Sequence, residues 1–298
     1  MPGKLNRALM RIPAANIPRI VNRYLRAEAS ASMVLIEILR PTEDPAALAR
    51  ALPTLDGEPA KLCGLARHLA ENKAGCCTIV RMIRQRLDSP EVAGDAEEGI
   101  ERCRKRFDAS LAHRKESSVA LYCLESPELL AATTDEVIGV LDDWKVLGLH
   151  QDALEMGCGI GRWIVSLCSR VCSVVGTDVS SGMICAAMRR LKGFSNTSLQ
   201  ITTGQDLLEF GSGSMELFYS VDAFACMVLS RHALVERHFR EFGRVLQTTS
   251  DFVLFNYAYG LPCEDANGEV LALAHGAELE VIRADASPFR DCAIASAG

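Results

Sequence analysis

From about residue 150 the chain alternates between two kinds of stretch. Short apolar runs give way to segments whose apolar residues recur every three or four positions. The first run, Leu154-Glu155-Met156, is followed by Gly157, Gly159 and Gly161 at alternate positions. A helical pattern follows at once, with Ile164, Leu167, Cys168 and Val171 on one face. The same alternation predicts strands at Val171–Thr177, Ser198–Thr203, Met215–Val221, Asp251–Tyr257, Leu279–Ala284 and Cys292–Ala297. Between them lie a helix with Met183, Ile184, Ala187, Met188 and Leu191 inward, capped by Ser180 or Ser181, then a long helix Ser230–Leu246, and a short one Val270–His275. Seven strands alternating with helices predict an α/β architecture.

The first third shows no such alternation. Ala29–Arg40 is a compact helical pattern stopped by Pro41, and Asp44-Pro45 opens a short helix that Pro53 closes. Lys61–Asn72 aligns Leu62, Leu65 and Leu69. Gly75 punctuates, and Cys76–Leu87 aligns Ile79, Val80, Ile83 and Leu87. A loop at Asp88–Ala96 precedes a helix Glu98–Arg114 carrying Ile100, Cys103, Phe107 and Leu111. The expected division is therefore a helical domain over 1–115, acting as a cap or a homodimer surface, and a second domain over 116–298. A helix starting at Ser126-Pro127, with Val137, Leu141 and Trp144 on one face, leads into the first strand.

Composition narrows the partner. Nearly half of the 298 residues are apolar, enough for a sizeable core, yet no apolar run reaches the length of a membrane span. The net charge of −6 argues against nucleic acid held by a broad basic surface and favours a small molecule. The basic stretch Lys4, Arg7, Arg11, Arg19, Arg23 and Arg26 reads as a solvated face. Twelve cysteines are scattered without zinc spacing. They read as reduced thiols of a cytoplasmic protein, with no metal expected.

The glycines carry the chemistry. Their spacing is G-x-G-x-G, with Arg162 in the sixth place, so neither the dinucleotide fingerprint nor the phosphate loop fits. Asp178, about twenty residues past the first glycine, lies where an αβ unit sets a carboxylate on a ribose diol. Acid, glycines and second acid together resemble the Rossmann-like (class I) S-adenosylmethionine (SAM) methyltransferases of small-molecule type. That resemblance implies a seven-stranded Rossmann-like sheet with helices on both faces, SAM as cofactor and S-adenosylhomocysteine as product. It implies that Glu155, Gly157, Gly159 and Gly161 frame the amino-acid end of SAM. Asp178 would hold the ribose, with Val179 and Met183 beside it, and Asp206 and Leu207 would meet the adenine.

The end of the fourth strand faces the transferred methyl group in that family, which makes Asp222 an acceptor-pocket candidate. Tyr122 joins it by the same resemblance. Tyr257 and Tyr259 join it as aromatics at a strand's C-terminal end. His232, on the long helix, is the candidate base. No His-Asp pair stands at the ends of strands four and five, which favours O-methylation of a carboxylate or hydroxyl on a small, largely apolar metabolite. A protein or RNA methyltransferase, or a non-catalytic SAM-binding module, stays open as the alternative.

Overall fold

The computed structural model describes residues 17–27, 29–42, 44–55, 57–85, 95–111, 120–230, 232–257 and 263–283. They fall into two compact units. One takes in described residues up to 85 together with 120–133. The other takes in 95–111 and the described residues from 134 onward. The expected break lay at 115/116.

The first unit is helical among its described residues. It comprises α1 (Ile17–Leu25), α2 (Ala31–Thr42), α3 (Pro45–Ala51), a 3-10 turn (Leu52–Thr54), α4 (Pro59–Glu71), α5 (Lys73–Arg84) and a second 3-10 turn (Leu121–Cys123). Asp44 caps α3 by accepting from the amides of Ala46 and Ala47 at 2.9 and 3.0 Å. Leu35, Ile38 and Leu39 of α2, Leu52 of the 3-10 turn, and Leu62 and Leu65 of α4 are fully buried, so the apolar faces of two helices and the turn between them make the core. Gly75 lies inside α5 and does not end it; a Cβ there would stand 1.7 Å from the Leu124 carbonyl oxygen. The glycine serves close packing.

The second unit holds α6 (Ala96–Leu111) and a parallel sheet. Helix α7 (Pro127–Asp143) crosses the division and leads to β1 (Asp152–Met156). Then follow α8 (Arg162–Leu167), β2 (Ser173–Asp178), α9 (Ser181–Arg190), β3 (Thr197–Ile201) and β4 (Met215–Val221). Finally come α10 (Phe224–Ser230), α11 (His232–Val245), β5 (Leu246–Phe255) and α12 (Cys263–Gly276). The strand order is β3-β2-β1-β4-β5, every pair parallel. Leu154 lies opposite Val175 on one side and Phe218 on the other. Strands one and four are buried almost throughout, as a parallel sheet covered on both faces requires. Phe218, Phe242 and Phe252 pack with ring centroids 4.4 to 5.5 Å apart, and burial of the fully buried Phe218 and Phe242 contributes about 2–3 kcal/mol each.

Several expectations are corrected. The described sheet has five strands. Residues 279–283 form no strand, and Cys292–Ala297 lies outside the described residues. The long helix expected at Ser230–Leu246 is α11, preceded by a separate helix, α10. Strand β5 starts at Leu246, not Asp251. It pairs Met215 with Leu246 and then Leu217 with Asp251, so the intervening residues bulge from the ladder. Thr249 takes a φ of 69° within that bulge.

Candidate functional site

In this order the chain reverses direction across the sheet between β1 and β4. Ligands of open α/β sheets bind outside the carboxyl ends of the strands at such a point. The predicted residues gather there. Gly157, Gly159 and Gly161 have φ of 74°, 51° and 74°, a region that costs an L side chain about 1–2 kcal/mol. The amides of Gly157 and Cys158 both donate to the Thr177 carbonyl at 2.8 Å, and Gly159 donates to Asp178 Oδ2 at 2.9 Å. The end of β2 therefore fixes the loop that follows β1. A Cβ on Gly157 would stand 2.2 Å from that of Ala223, so the loop also abuts the chain leaving β4.

Two carboxylates flank this loop. Glu155 is wholly buried. Its Oε2 accepts from the Tyr219 hydroxyl at 2.8 Å, while Oε1 is buried with no hydrogen-bond partner among the described residues. Burial pushes its pKa up to about 8, against the pull of the Tyr219 hydrogen bond. Asp178 ends β2 and accepts from Ser180 N at 2.8 Å as well as from Gly159. Burial raises it to about 6, and those amides hold it from going further.

Around them, Ser180 caps α9 by accepting from Met183 N at 3.0 Å, and Met183 is buried. Val179 faces Gly204, where a Cβ would meet Val179 Cγ1 at 2.7 Å and Ile100 Cγ2 at 3.3 Å. Leu207 is buried. Its amide donates to Glu241 and its carbonyl accepts from Arg244, so α11 fixes this backbone. Asp206 precedes it with its carboxylate turned to Leu208 N.

At the ends of β4 and β5 the structure joins residues that no local pattern links. Asp222 and Asn256 both take left-handed φ, 64° and 60°. The Asn256 amide donates to Asp222 Oδ1, and Asp222 Oδ2 lies 3.9 Å from the buried Arg162 guanidinium. Arg162 itself lies over the Trp163 ring, 4.0 Å from its centroid. Tyr257 is buried and stacks on Phe224 with centroids 5.7 Å apart. Burial holds its phenol well above the usual tyrosine range. Asn256→Ala is expected to cost about 1–2 kcal/mol in urea unfolding, because Asp222 loses its donor.

The other candidates separate from this group. His232 is exposed on the first turn of α11, between Glu236 and Glu269. His238 is buried, its Nδ1 beside the Leu234 carbonyl, and burial lowers its pKa. Tyr122 is buried in the helical unit, and Tyr259 lies outside the described residues. Sequence reasoning did not single out Tyr219, Asn256 or Asp108. Asp108 comes from α6 and accepts from Ser180 Oγ at 2.5 Å and Gly182 N at 3.2 Å, next to Asp178. For Asn256 a signal existed, its place at the carboxyl end of a predicted strand.

Residues 153–249 match the family model described as a methyltransferase domain. They run from the second residue of β1 to the fourth of β5, with both flanking acids and the whole glycine turn. The matched segment is a methyltransferase domain. No curated protein matches the chain. Among solved structures, the chain is similar to phosphoethanolamine N-methyltransferase 1 of Haemonchus contortus, whose structure holds phosphoethanolamine and S-adenosylhomocysteine. The identity is 20% over 54% of this chain and 33% of that one, with a TM-score of 0.47. A SAM-dependent methyltransferase from Aquifex aeolicus is similar at 17% identity over 54% of this chain and 87% of its own, with a TM-score of 0.43. The chain thus spans a third of the length of the first of these.

One buried atom fits the SAM that the sequence resemblance implies. A Cβ on Gly157 would meet Ala223 and one on Gly161 would meet Ala187 and Leu191, so the turn needs glycine for its own packing. Glu155 Oε1 is buried without a hydrogen-bond partner among the described residues, and an ammonium group would satisfy it. Among the described residues no cluster of His, Cys, Asp or Glu is arranged to hold a metal, and no helix is long and apolar enough to cross a membrane.

Proposed function

We propose that this chain methylates a small, largely apolar metabolite at a carboxylate or hydroxyl oxygen. The observation that carries the reading is the pair of acids, Glu155 and Asp178, set on adjacent strand ends on either side of the left-handed glycine turn. Glu155 would meet the amino-acid end of SAM and Asp178 the ribose, with Val179, Met183, Asp206 and Leu207 along the remainder. Bound SAM supplies a methyl group on a sulfonium, already a good leaving group. The protein's share is then proximity and orientation.

The ends of β4 and β5 support an acceptor that needs little help losing a proton. Asp222 is engaged by Asn256 and lies beside Arg162, and the Tyr257 phenol stays protonated. Neither histidine of α11 stands free as a base there. His232 sits between two glutamates, and His238 is buried against a carbonyl. The stacked pair Phe224–Tyr257 offers an apolar wall. The helical unit is read as a cap or a dimerisation surface.

Calorimetry of SAM and S-adenosylhomocysteine binding tests the cofactor site. Asp178→Ala is expected to weaken binding at least tenfold, about 1.4 kcal/mol. Unchanged affinity would remove Asp178 from the ribose role. Turnover to S-adenosylhomocysteine with panels of carboxylic acids, phenols, amines, RNA and protein then tests the acceptor, with methyl esters or ethers as the expected products. Activity confined to RNA or protein would replace this reading.

A further inference from the structure

Two cysteines that the site does not use meet at one cation. Cys103 lies on α6 and Cys226 on α10, just past the end of β4. Arg106 Nη2 stands 3.0 Å from Cys226 Sγ and 3.9 Å from Cys103 Sγ. One guanidinium nitrogen therefore holds both sulfurs within 4 Å. Cys226 is buried, while Cys103 is half-exposed and gives a small oxidant a way in. The Cys103 S–H hydrogen bond, and then the Arg106 charge, favour the thiolate at Cys226, against the opposing effect of burial.

The helix that carries Cys103 lies along the carboxyl ends of three strands. Asp108 binds Ser180 and Gly182 after β2, Ile100 faces Gly204 after β3, and Arg106 reaches Cys226 after β4. We propose that Cys103 and Cys226 are a redox modification site, forming a reversible disulfide that fastens α6 to α10 across this edge of the sheet.

The oxidant is hydrogen peroxide. The Cys226 thiolate attacks one peroxide oxygen and the O–O bond breaks, giving a sulfenic acid at Cys226 and hydroxide. Hydroxide takes the Cys103 proton and leaves as water. The Cys103 thiolate then attacks the Cys226 sulfur, the S–O bond breaks, and the second hydroxide leaves as water after protonation from solvent. Two thiol sulfurs are oxidised by two electrons in all, and one peroxide is reduced to two waters. A dithiol reductant reverses the bond by exchange. The expected consequence, slower cofactor exchange beneath a fastened α6, rests on the SAM reading.

The full chain, reduced, is treated with hydrogen peroxide, alkylated, digested and mapped by mass spectrometry with and without dithiothreitol. A linked peptide joining residues 103 and 226 is expected, absent from Cys103→Ser and from Cys226→Ser, and lost on reduction. Amide exchange across residues 96–111 is expected to slow by about tenfold in the oxidised protein and to recover with dithiothreitol. Absence of the linked peptide, or Cys226 sulfinic acid with Cys103 still alkylatable, overturns the proposal. So does a linked peptide with unchanged exchange over 96–111. Failure of the reduced protein to bind SAM would instead defeat the cofactor reading, while the peptide map and amide exchange still decide the disulfide.

Discussion

Gly157→Ala is expected to abolish measurable SAM binding and to destabilise the fold by about 3 kcal/mol or more, from two separable causes. The first is conformational. At a φ of 74° the new Cβ crowds its own backbone, which costs about 1–2 kcal/mol. The second is steric. The Cβ would lie 2.2 Å from that of Ala223, far inside van der Waals contact, so either the glycine loop or the chain leaving β4 must move. Removing the obstacle separates the two. In Gly157→Ala/Ala223→Gly the steric part is relieved, so the double variant is expected to be more stable than the single one, with only the conformational cost remaining. Urea unfolding of the four proteins gives the coupling, and calorimetry gives SAM affinity. A single variant within about 1 kcal/mol of wild type would show that the loop yields freely, and would sink the close-approach argument.

The second large effect is in the response to pH. Glu155 has a folded pKa of about 8 against an ordinary value of 4.5. Below pH 4.5 it is protonated in both folded and unfolded states, and its full contribution to stability is present. As pH rises toward 8 the unfolded chain gives up this proton while the folded one keeps it, so stability falls across that window. The loss is about 5 kcal/mol at most. Asp178, raised from 3.8 to about 6, acts in the same direction over a lower window. Glu155→Gln keeps a neutral group in place and removes only the first contribution. The variant is expected to match wild type near pH 5 and to melt several degrees higher near pH 8. A SAM ammonium group beside Glu155 favours its ionised form. Wild type is then expected to release protons on binding SAM at pH 7, and Glu155→Gln to release fewer, read by calorimetry in buffers of different ionisation enthalpy. Parallel melting curves for the two proteins from pH 5 to 8 would refute the protonated Glu155.

What the sequence made legible is local. The glycine turn, Asp178 and the Ser180 cap each occupy a few consecutive residues whose types leave little choice of backbone. Met215–Val221 is apolar enough to be read as a buried strand, and its bounds agree with β4. Helix α10 escaped because Phe224 to Ser230 offers almost no polar residue to mark a face. The start of β5 escaped because Gln247, Thr248, Thr249 and Ser250 look like a turn, and in the structure they bulge between two paired stretches. The group of Arg162, Asp222 and Asn256 could not be read from any one segment, since the strand order brings their three loops together. Glu155 was visible as an acid. Its protonation follows from complete burial, against the pull of a tyrosine hydroxyl 64 residues away, and neither is a property of its neighbours in the chain.

The stacking of Arg162 on Trp163 gives the molecule an optical gauge of its own. The chain has two tryptophans, and they report on different strands. Trp163 is buried two residues past the last loop glycine, beneath the Arg162 guanidinium. Trp144 is half-exposed and stacks on Phe255 at the end of β5, 5.9 Å between centroids. With Trp144 replaced by phenylalanine, a single emitter remains beside the cradle, and any ligand that shifts the Arg162 guanidinium registers as a change in colour and lifetime, without a label and without knowledge of the acceptor.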